Sequence, residues 1–245
     1  MSPVGVIKIG STSSTLLIAQ DLSKPLVRRQ QLLDLFSQES PRDLLRLVES
    51  WREEARHYGA RLLAAGGEAV RKNARLGGEL SHLLPHWWSL TGEEEGRLAW
   101  IAVKGERPNA EVVVDIGGGS TELIWGQGIW SAASGAARPD FTVRWPCLPV
   151  TARPVFVGGT ALAVAWWAKR PVLTGADVDQ LRHAIEGAQN PIPSLDPLRR
   201  RLLPSGLAIL SDVLLANGWE TFEVSERGLT EGLWLAASLG RVATE

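Results

Sequence analysis

Apolar positions in the first thirty residues fall in short runs rather than at helical spacing. VGVIKIG (4–10) and TLLIAQ (15–20) are β-rich and separated by Ser-Thr-Ser-Ser, a turn signal, and PLVRRQQLL (25–33) supplies the third strand of a meander. From about Pro41 to Tyr58 the period changes, with Leu44, Leu45, Leu47, Val48 and Trp51 at helical spacing. ARLLAAG (60–66) reads as a strand ending in Gly-Gly. Helices fit 68–84, with an interruption near Leu76–Gly78, and 92–103, where Glu93–Glu95 occupy a first turn whose dipole favours acids. EVVVDIGGGSTELIWG (111–126) returns to strand, turn and strand, followed by a Gly/Pro-rich irregular stretch over about 127–154. PVFVGG (154–159) is a buried strand running into a helix at 160–168. Two or three helices fill 176–217, TFEVS (221–225) is a last strand, and 228–240 a last helix.

The pattern repeats. Residues 6–17, VIKIGSTSSTLL, align without a gap on residues 113–124, VVDIGGGSTELI, at a constant offset of 107. Each copy is an apolar strand, a turn of glycine or small hydroxyl residues, and a second apolar strand, and a strand–helix–strand region follows each. Two duplicated α/β halves are expected, their hairpin turns facing each other across a cleft. Turns without bulky side chains let backbone N–H groups approach an anion, and hydroxyls add donors. One IGGGS turn would be no more than a tight turn; two aligned copies predict a phosphate cradle made twice.

Composition adds mainly exclusions. The chain has 245 residues, 44% hydrophobic and 22% charged, enough for one large or two modest domains with a buried core. A formal net charge of −1 gives no overall pull toward a nucleic acid polymer or an anionic membrane. The single cysteine, Cys147, excludes an internal disulfide and a multi-cysteine zinc site. The start, MSPVGVIKIGSTSS, lacks signal-peptide features, and no window approaches the ~20 apolar residues of a membrane-spanning helix, so a cytoplasmic protein is expected. His57, His82, His86 and His183 have no metal-binding spacing, since Pro85 disturbs the helix that His82 and His86 would need. The eleven tryptophans read mostly as core.

VVVDIGGGSTELI (112–124) resembles the second phosphate-loop motif of the exopolyphosphatase and guanosine pentaphosphate phosphohydrolase (Ppx/GppA) family, within the actin-like ATPase superfamily. TGEEEGRLAW (91–100), VIKIGSTSSTLLIA (6–19), EAVRKNA (68–74), Ser134-Gly135-Ala136, VGGTALAVA (157–165) and SERGLTEGL (225–233) are similar to further family segments in the same order. The resemblance implies an α/β fold of two ribonuclease-H-like domains with a cleft between them. The expected first domain is 1–108, with about 233–245 packing back on it; the second is 109–232. The implied activity is release of terminal phosphate from short polyphosphate or guanosine pentaphosphate, with a divalent metal, usually Mg2+. Polyphosphate or a guanosine polyphosphate is the implied partner, and pairing of family members implies a homodimer, although no stripe here marks an interface.

Carried over by position, Glu95 is the implied catalytic base that orients the attacking water. Asp115 and Glu122 are the implied metal-contacting or water-positioning carboxylates. Gly117, Gly118, Gly119, Ser120 and Thr121 face Gly10, Ser11, Thr12 and Ser13 as phosphate donors, and Arg71 is an implied phosphate contact. Gly158, Gly159 and Thr160 form a strand-to-helix turn suited to further phosphates or a nucleoside. Three features depart from the family pattern. Lys8 stands where the first loop begins with an aspartate, Lys72 where Arg71 should precede a glutamate, and the chain is short, mainly between Gly135 and Gly158, without the helical C-terminal domains of longer members. Lys8 admits two readings: its ammonium neutralises phosphoryl charge in place of the metal, or the metal site is lost and the protein is a catalytically degenerate phosphate-binding relative. A kinase or ATPase of the same superfamily is the third expectation.

Overall fold

The computed structural model describes residues 2–37, 40–126, 128–149, 153–187, 192 and 194–240. The chain divides into two compact units, Met1–Ala102 with Leu229–Glu245, and Val103–Gly228. No helix among the described residues is long and apolar enough to cross a membrane.

In the first unit, β1 (Val4–Ile9), β2 (Ser13–Ala19), β3 (Val27–Leu32), β4 (Arg61–Gly66) and β5 (Trp87–Ser89) form one sheet of order β3-β2-β1-β4-β5. The meander is antiparallel, and β4 returns parallel to β1 through α1 (Ser40–His57). Alternation along β1 gives the sheet two apolar faces. Ile7 and Ile9 pack with α1, α2 (Glu68–Arg71) and α3 (Ala74–Leu83); Val4 and Val6 pack with Leu98 of α4 (Gly92–Glu106) and with α8 (Leu229–Ser238). The last helix is tied down by polar contacts as well. Trp234 Nε1 donates to the Val4 carbonyl at 3.1 Å, Arg61 donates to the Ala237 carbonyl at 2.5 Å, and Arg28 pairs with the buried Glu231. The returning segment was expected from about 233; the helix begins at Leu229, and 241–245 lie outside the described residues.

In the second unit, β6 (Val112–Ile116), β7 (Thr121–Trp125), β8 (Gly128–Ala132), β9 (Val155–Val157), β10 (Val172–Thr174) and β11 (Thr221–Val224) give the order β10-β11-β9-β6-β7-β8. Val112, Val114 and Ile116 share one core with α5 (Gly159–Ala168), α6 (Gly175–Glu186) and α7 (Pro197–Asn217), centred on the edge-to-face pair Phe156–Phe222 at 5.1 Å. The central order, β3-β2-β1-β4 against β8-β7-β6-β9, is one topology used twice, each a meander followed by a parallel crossover strand.

Several local expectations need correction. The break in 68–84 falls at Lys72–Asn73, not at Leu76–Gly78, because the Asn73 side chain accepts the Leu76 N–H at 3.0 Å and caps a new helix that then runs through both glycines. The stretch 127–154 is not irregular from its start: β8 pairs with β7, and Trp130 packs edge-on against Trp145 at 5.4 Å. Residues 127 and 150–152 of that stretch, and 188–191 and 193 of the predicted helical region 176–217, lie outside the described residues. Strands β5 and β10 were missed, being three residues each and too short to show a period.

Candidate functional site

The repeat seen in sequence is also a repeat of hydrogen bonds. In β1–β2 the register pairs Val6 with Leu17, Lys8 with Thr15 and Ile9 with Ser14; in β6–β7 it pairs Val113 with Ile124, Asp115 with Glu122 and Ile116 with Thr121. A shift of 107 residues converts one set into the other. The turns close alike, Gly10 N–H to the Ser13 carbonyl at 2.9 Å and Gly117 N–H to the Ser120 carbonyl at 2.9 Å.

Each turn is backed by a segment that takes up its carbonyls. Leu35 and Leu33 N–H groups bond the Ser11 and Thr12 oxygens at 2.9 and 3.2 Å; Ala136 and Ala137 bond the Gly117 and Gly118 oxygens at 2.9 and 2.8 Å. Among the described residues no acceptor answers the N–H groups of Ser11 and Thr12, or those of Gly118 and Gly119. Acceptors turned inward and donors left over make the local field of each turn positive, as an anion requires. The backing of the second loop is close. A Cβ on Gly135 would stand 2.6 Å from the carbonyl carbon of Gly118, Thr121 Oγ1 donates to the Ser134 carbonyl at 2.7 Å, and Asp140 N–H donates to Ser134 Oγ at 2.9 Å.

The duplication extends past the hairpins. Lys8 neighbours Ala65 across β1–β4, and Asp115 neighbours Val157 across β6–β9, so Gly66–Gly67 and Gly158–Gly159 follow at matching places. Gly158 has φ +95, and a Cβ there would lie 2.6 Å from the Ile116 carbonyl and 3.2 Å from Asp115 Oδ1. Only glycine lets this strand-to-helix turn pass so near the end of β6. Thr160, in the first turn of α5, is buried against Gly206 of α7.

The three consecutive glutamates at the start of α4 have separate tasks. Glu94 forms a reciprocal cap with Thr91: its carboxylate accepts the Thr91 N–H at 2.7 Å, and Thr91 Oγ1 accepts the Glu94 N–H at 3.2 Å. Glu93 makes a loose surface pair with Arg97 at 3.8 Å, which leaves Arg97 structural. Glu95 points inward over Gly67, where a Cβ would stand 2.4 Å from its Oε1. The carboxylate therefore rests on a bare backbone at the end of β4, half-buried, in the same half as the first loop.

Arg71 donates to the Leu90 carbonyl, just before the Thr91 cap, so it steadies the entry to α4. The charge change at Lys72 has a local reason that sequence alone did not show. Glu68, 5% exposed, heads α2, and Lys72 four residues on donates to its Oε1, while Glu68 Oε2 is buried with no hydrogen-bond partner. Lys72→Met should cost about 1–2 kcal/mol, less than for a fully buried pair because half of the lysine faces water. Urea unfolding would show a lower midpoint for Lys72→Met and a preserved one for Lys72→Arg; an unchanged midpoint in Lys72→Met would remove the pair from the stability account.

In the second half, Asp115 and Glu122 are directly opposed across β6–β7. Glu122 is 2% exposed and accepts from Ser131 Oγ at 2.9 Å. Arg199 was missed by sequence reading. A Cβ on Gly159 would stand 3.5 Å from its Nε, and its guanidinium carbon lies 5.7 Å from the Trp166 ring centroid. Burial pulls its pKa below the ordinary arginine value, with Asp196 acting in the opposite sense. Forty residues separate Arg199 from Gly159 with no periodic link, and the run Arg199–Arg201 was the one available signal.

Residues 89–137, which carry Glu95, Asp115 and the second loop, match the model of the Ppx/GppA phosphatase family. Three solved structures are similar over nearly the full length. The Aquifex aeolicus member of the Ppx/GppA family is 19% identical, with 99% of each chain covered and a TM-score of 0.78. An exopolyphosphatase from Cytophaga hutchinsonii is 18% identical over 97% of this chain and 98% of that one, with a TM-score of 0.79. An exopolyphosphatase-like protein is 18% identical over 98% and 99%, with a TM-score of 0.80. At such identities the likeness shows the fold, which is the two-domain actin-like ATPase fold that the resemblance implied.

Proposed function

We propose that this chain, with the fold and the matched segment of the Ppx/GppA phosphatases, is a phosphoanhydride hydrolase that releases terminal phosphate from short polyphosphate or guanosine pentaphosphate. The observation that carries the reading is the duplicated turn, in which donors at Ser11 and Thr12 recur at Gly118 and Gly119 while a neighbouring segment ties back two carbonyls of each turn. A polyanion is the ligand class that such donors and the small residues around them suit. Glu95 is the group to orient water. Its carboxylate accepts the water proton as the water oxygen bonds to the terminal phosphorus, the bridging P–O bond breaks, and the proton leaves with the products. Gly158, Gly159 and Thr160, with Arg199 alongside, are the place for the next phosphates or a nucleoside.

Metal chemistry needs a donor set, and the one present is thin. Magnesium can be held by one or two carboxylates when substrate phosphates complete its shell. Here Glu122 is buried and already accepts from Ser131, and the first half has an ammonium at the position matching Asp115. Among the described residues there is no group of three or more histidines, cysteines or acids placed to hold an ion. With an ammonium at the matching position of the first half, the residues present fit a divalent ion poorly, and the hydrolysis is derived without one.

That same ammonium favours a second reading, a binder that keeps the cradles and has lost turnover. A phosphate-release assay with tripolyphosphate, guanosine pentaphosphate and ATP, in Mg2+, Mn2+ and EDTA, separates the readings. Release from either of the first two is the expected result. Thermal stabilisation by them without release would establish the binder, and turnover of ATP alone would favour a kinase-like or ATPase relative. No release and no stabilisation would remove both phosphate readings.

A further inference from the structure

The two halves are equivalent in register, yet one strand position differs in sign: Lys8 occupies in β1–β2 the place that Asp115 occupies in β6–β7. The lysine is not turned out into water as a tolerated surface charge. Its ammonium folds back over its own turn, 3.4 Å from both the Ser13 carbonyl and Ser13 Oγ. It lies on Gly10, where a Cβ would stand 2.6 Å from Nζ and 3.2 Å from Cε. Gly10 thus leaves the space that the ammonium fills. The same turn carries the Ser11 and Thr12 N–H groups, with no acceptor among the described residues. A positive point charge and two backbone donors on one six-residue hairpin are a complete set for one phosphate group, since lysine binds phosphate as a point charge and charge-assisted bonds are the strong ones.

We infer that Lys8 is the resident cation of the first loop, and that the protein binds polyphosphate anions without a divalent metal. The inference rests on the phosphate reading above and deepens it: the ligand is the metal-free polyanion rather than its magnesium complex. Magnesium that sequesters tripolyphosphate in solution should then compete with the protein for its ligand.

The test is calorimetric binding of inorganic tripolyphosphate to the full chain, first in EDTA and then in excess Mg2+. Wild type should bind in EDTA at least as tightly as in Mg2+. Lys8→Met should weaken binding in EDTA by about thirtyfold, or about 2 kcal/mol, the worth of one hydrogen bond to a charged group. Gly10→Ala keeps the charge but places a methyl where the ammonium lies, and should weaken binding about tenfold. Lys8→Asp should bind only with Mg2+ present. Wild-type binding that disappears in EDTA and returns with Mg2+ would overturn this inference while leaving the phosphate reading intact. Undiminished binding by Lys8→Met in EDTA would overturn it too. Wild type that binds tripolyphosphate in neither condition would overturn the phosphate reading itself, and this inference with it.

Discussion

Replacing Glu95 by glutamine is expected to lower phosphate release by about 10³-fold while tripolyphosphate affinity stays within about threefold of wild type. The asymmetry follows from what the amide retains. Glutamine fills the same space over Gly67 and still accepts a hydrogen bond through its carbonyl, so it can hold a water, but it cannot take the proton that makes the water a nucleophile. A companion substitution separates chemistry from placement. Gly67 has φ −94, which any residue adopts, but a Cβ there would meet Glu95 Oε1 at 2.4 Å and force the carboxylate aside. Gly67→Ala should therefore fold normally, since the far end of a side chain yields cheaply, and lose about 10²-fold in turnover because a catalytic group misplaced by about 1 Å costs that much. Single-turnover rates and calorimetric affinity on the three proteins would check both. Full activity in Glu95→Gln would take Glu95 out of the chemistry.

How much of this was legible beforehand depends on the range over which each feature is encoded. The hairpins were legible because a strand–turn–strand unit is local, and its duplication at an offset of 107 made chance turns a poor explanation. The register equivalence of Lys8 and Asp115 followed from the same alignment, and the ladders agree with it. The glutamates 93–95 were legible as a helix start, but not as a cap, a surface ion and an inward carboxylate, since that sorting depends on where the end of β4 lies. Lys72 looked like a lost acid because its partner Glu68 is defined by burial, which a charge pattern does not reveal. Arg199 reaches Gly159 through the packing of α7 on α5, a tertiary fact that the run Arg199–Arg201 does not locate by itself. The backing of each turn by 33–35 and 136–137 was likewise invisible, because backbone bonds to loop carbonyls do not depend on side-chain identity.

The largest expected loss of stability comes from a residue with no chemistry. Gly232 lies in α8, and a Cβ there would stand 1.9 Å from the Leu98 carbonyl oxygen and 2.4 Å from its carbon. Unlike Glu95 above Gly67, these are backbone atoms inside α4 and cannot rotate away, so Gly232→Ala must move one helix against the other. Overpacking of this kind costs about 3 kcal/mol or more, which for a protein of this size lowers the melting temperature by roughly 10 °C. The displacement also reaches function, because Leu98 sits one turn beyond Glu95 on the same helix. Gly232→Ala should therefore lose turnover even at temperatures where it is fully folded. Gly78→Ala supplies the opposite sign. Its Cβ would enter open space within α3, so it should raise stability by about 0.5–1 kcal/mol through helix propensity and leave turnover unchanged. Calorimetric melting of the two variants beside wild type would check the pair. If Gly232→Ala melts with wild type, α8 does not approach α4 that closely, and the route from the last helix to Glu95 is removed.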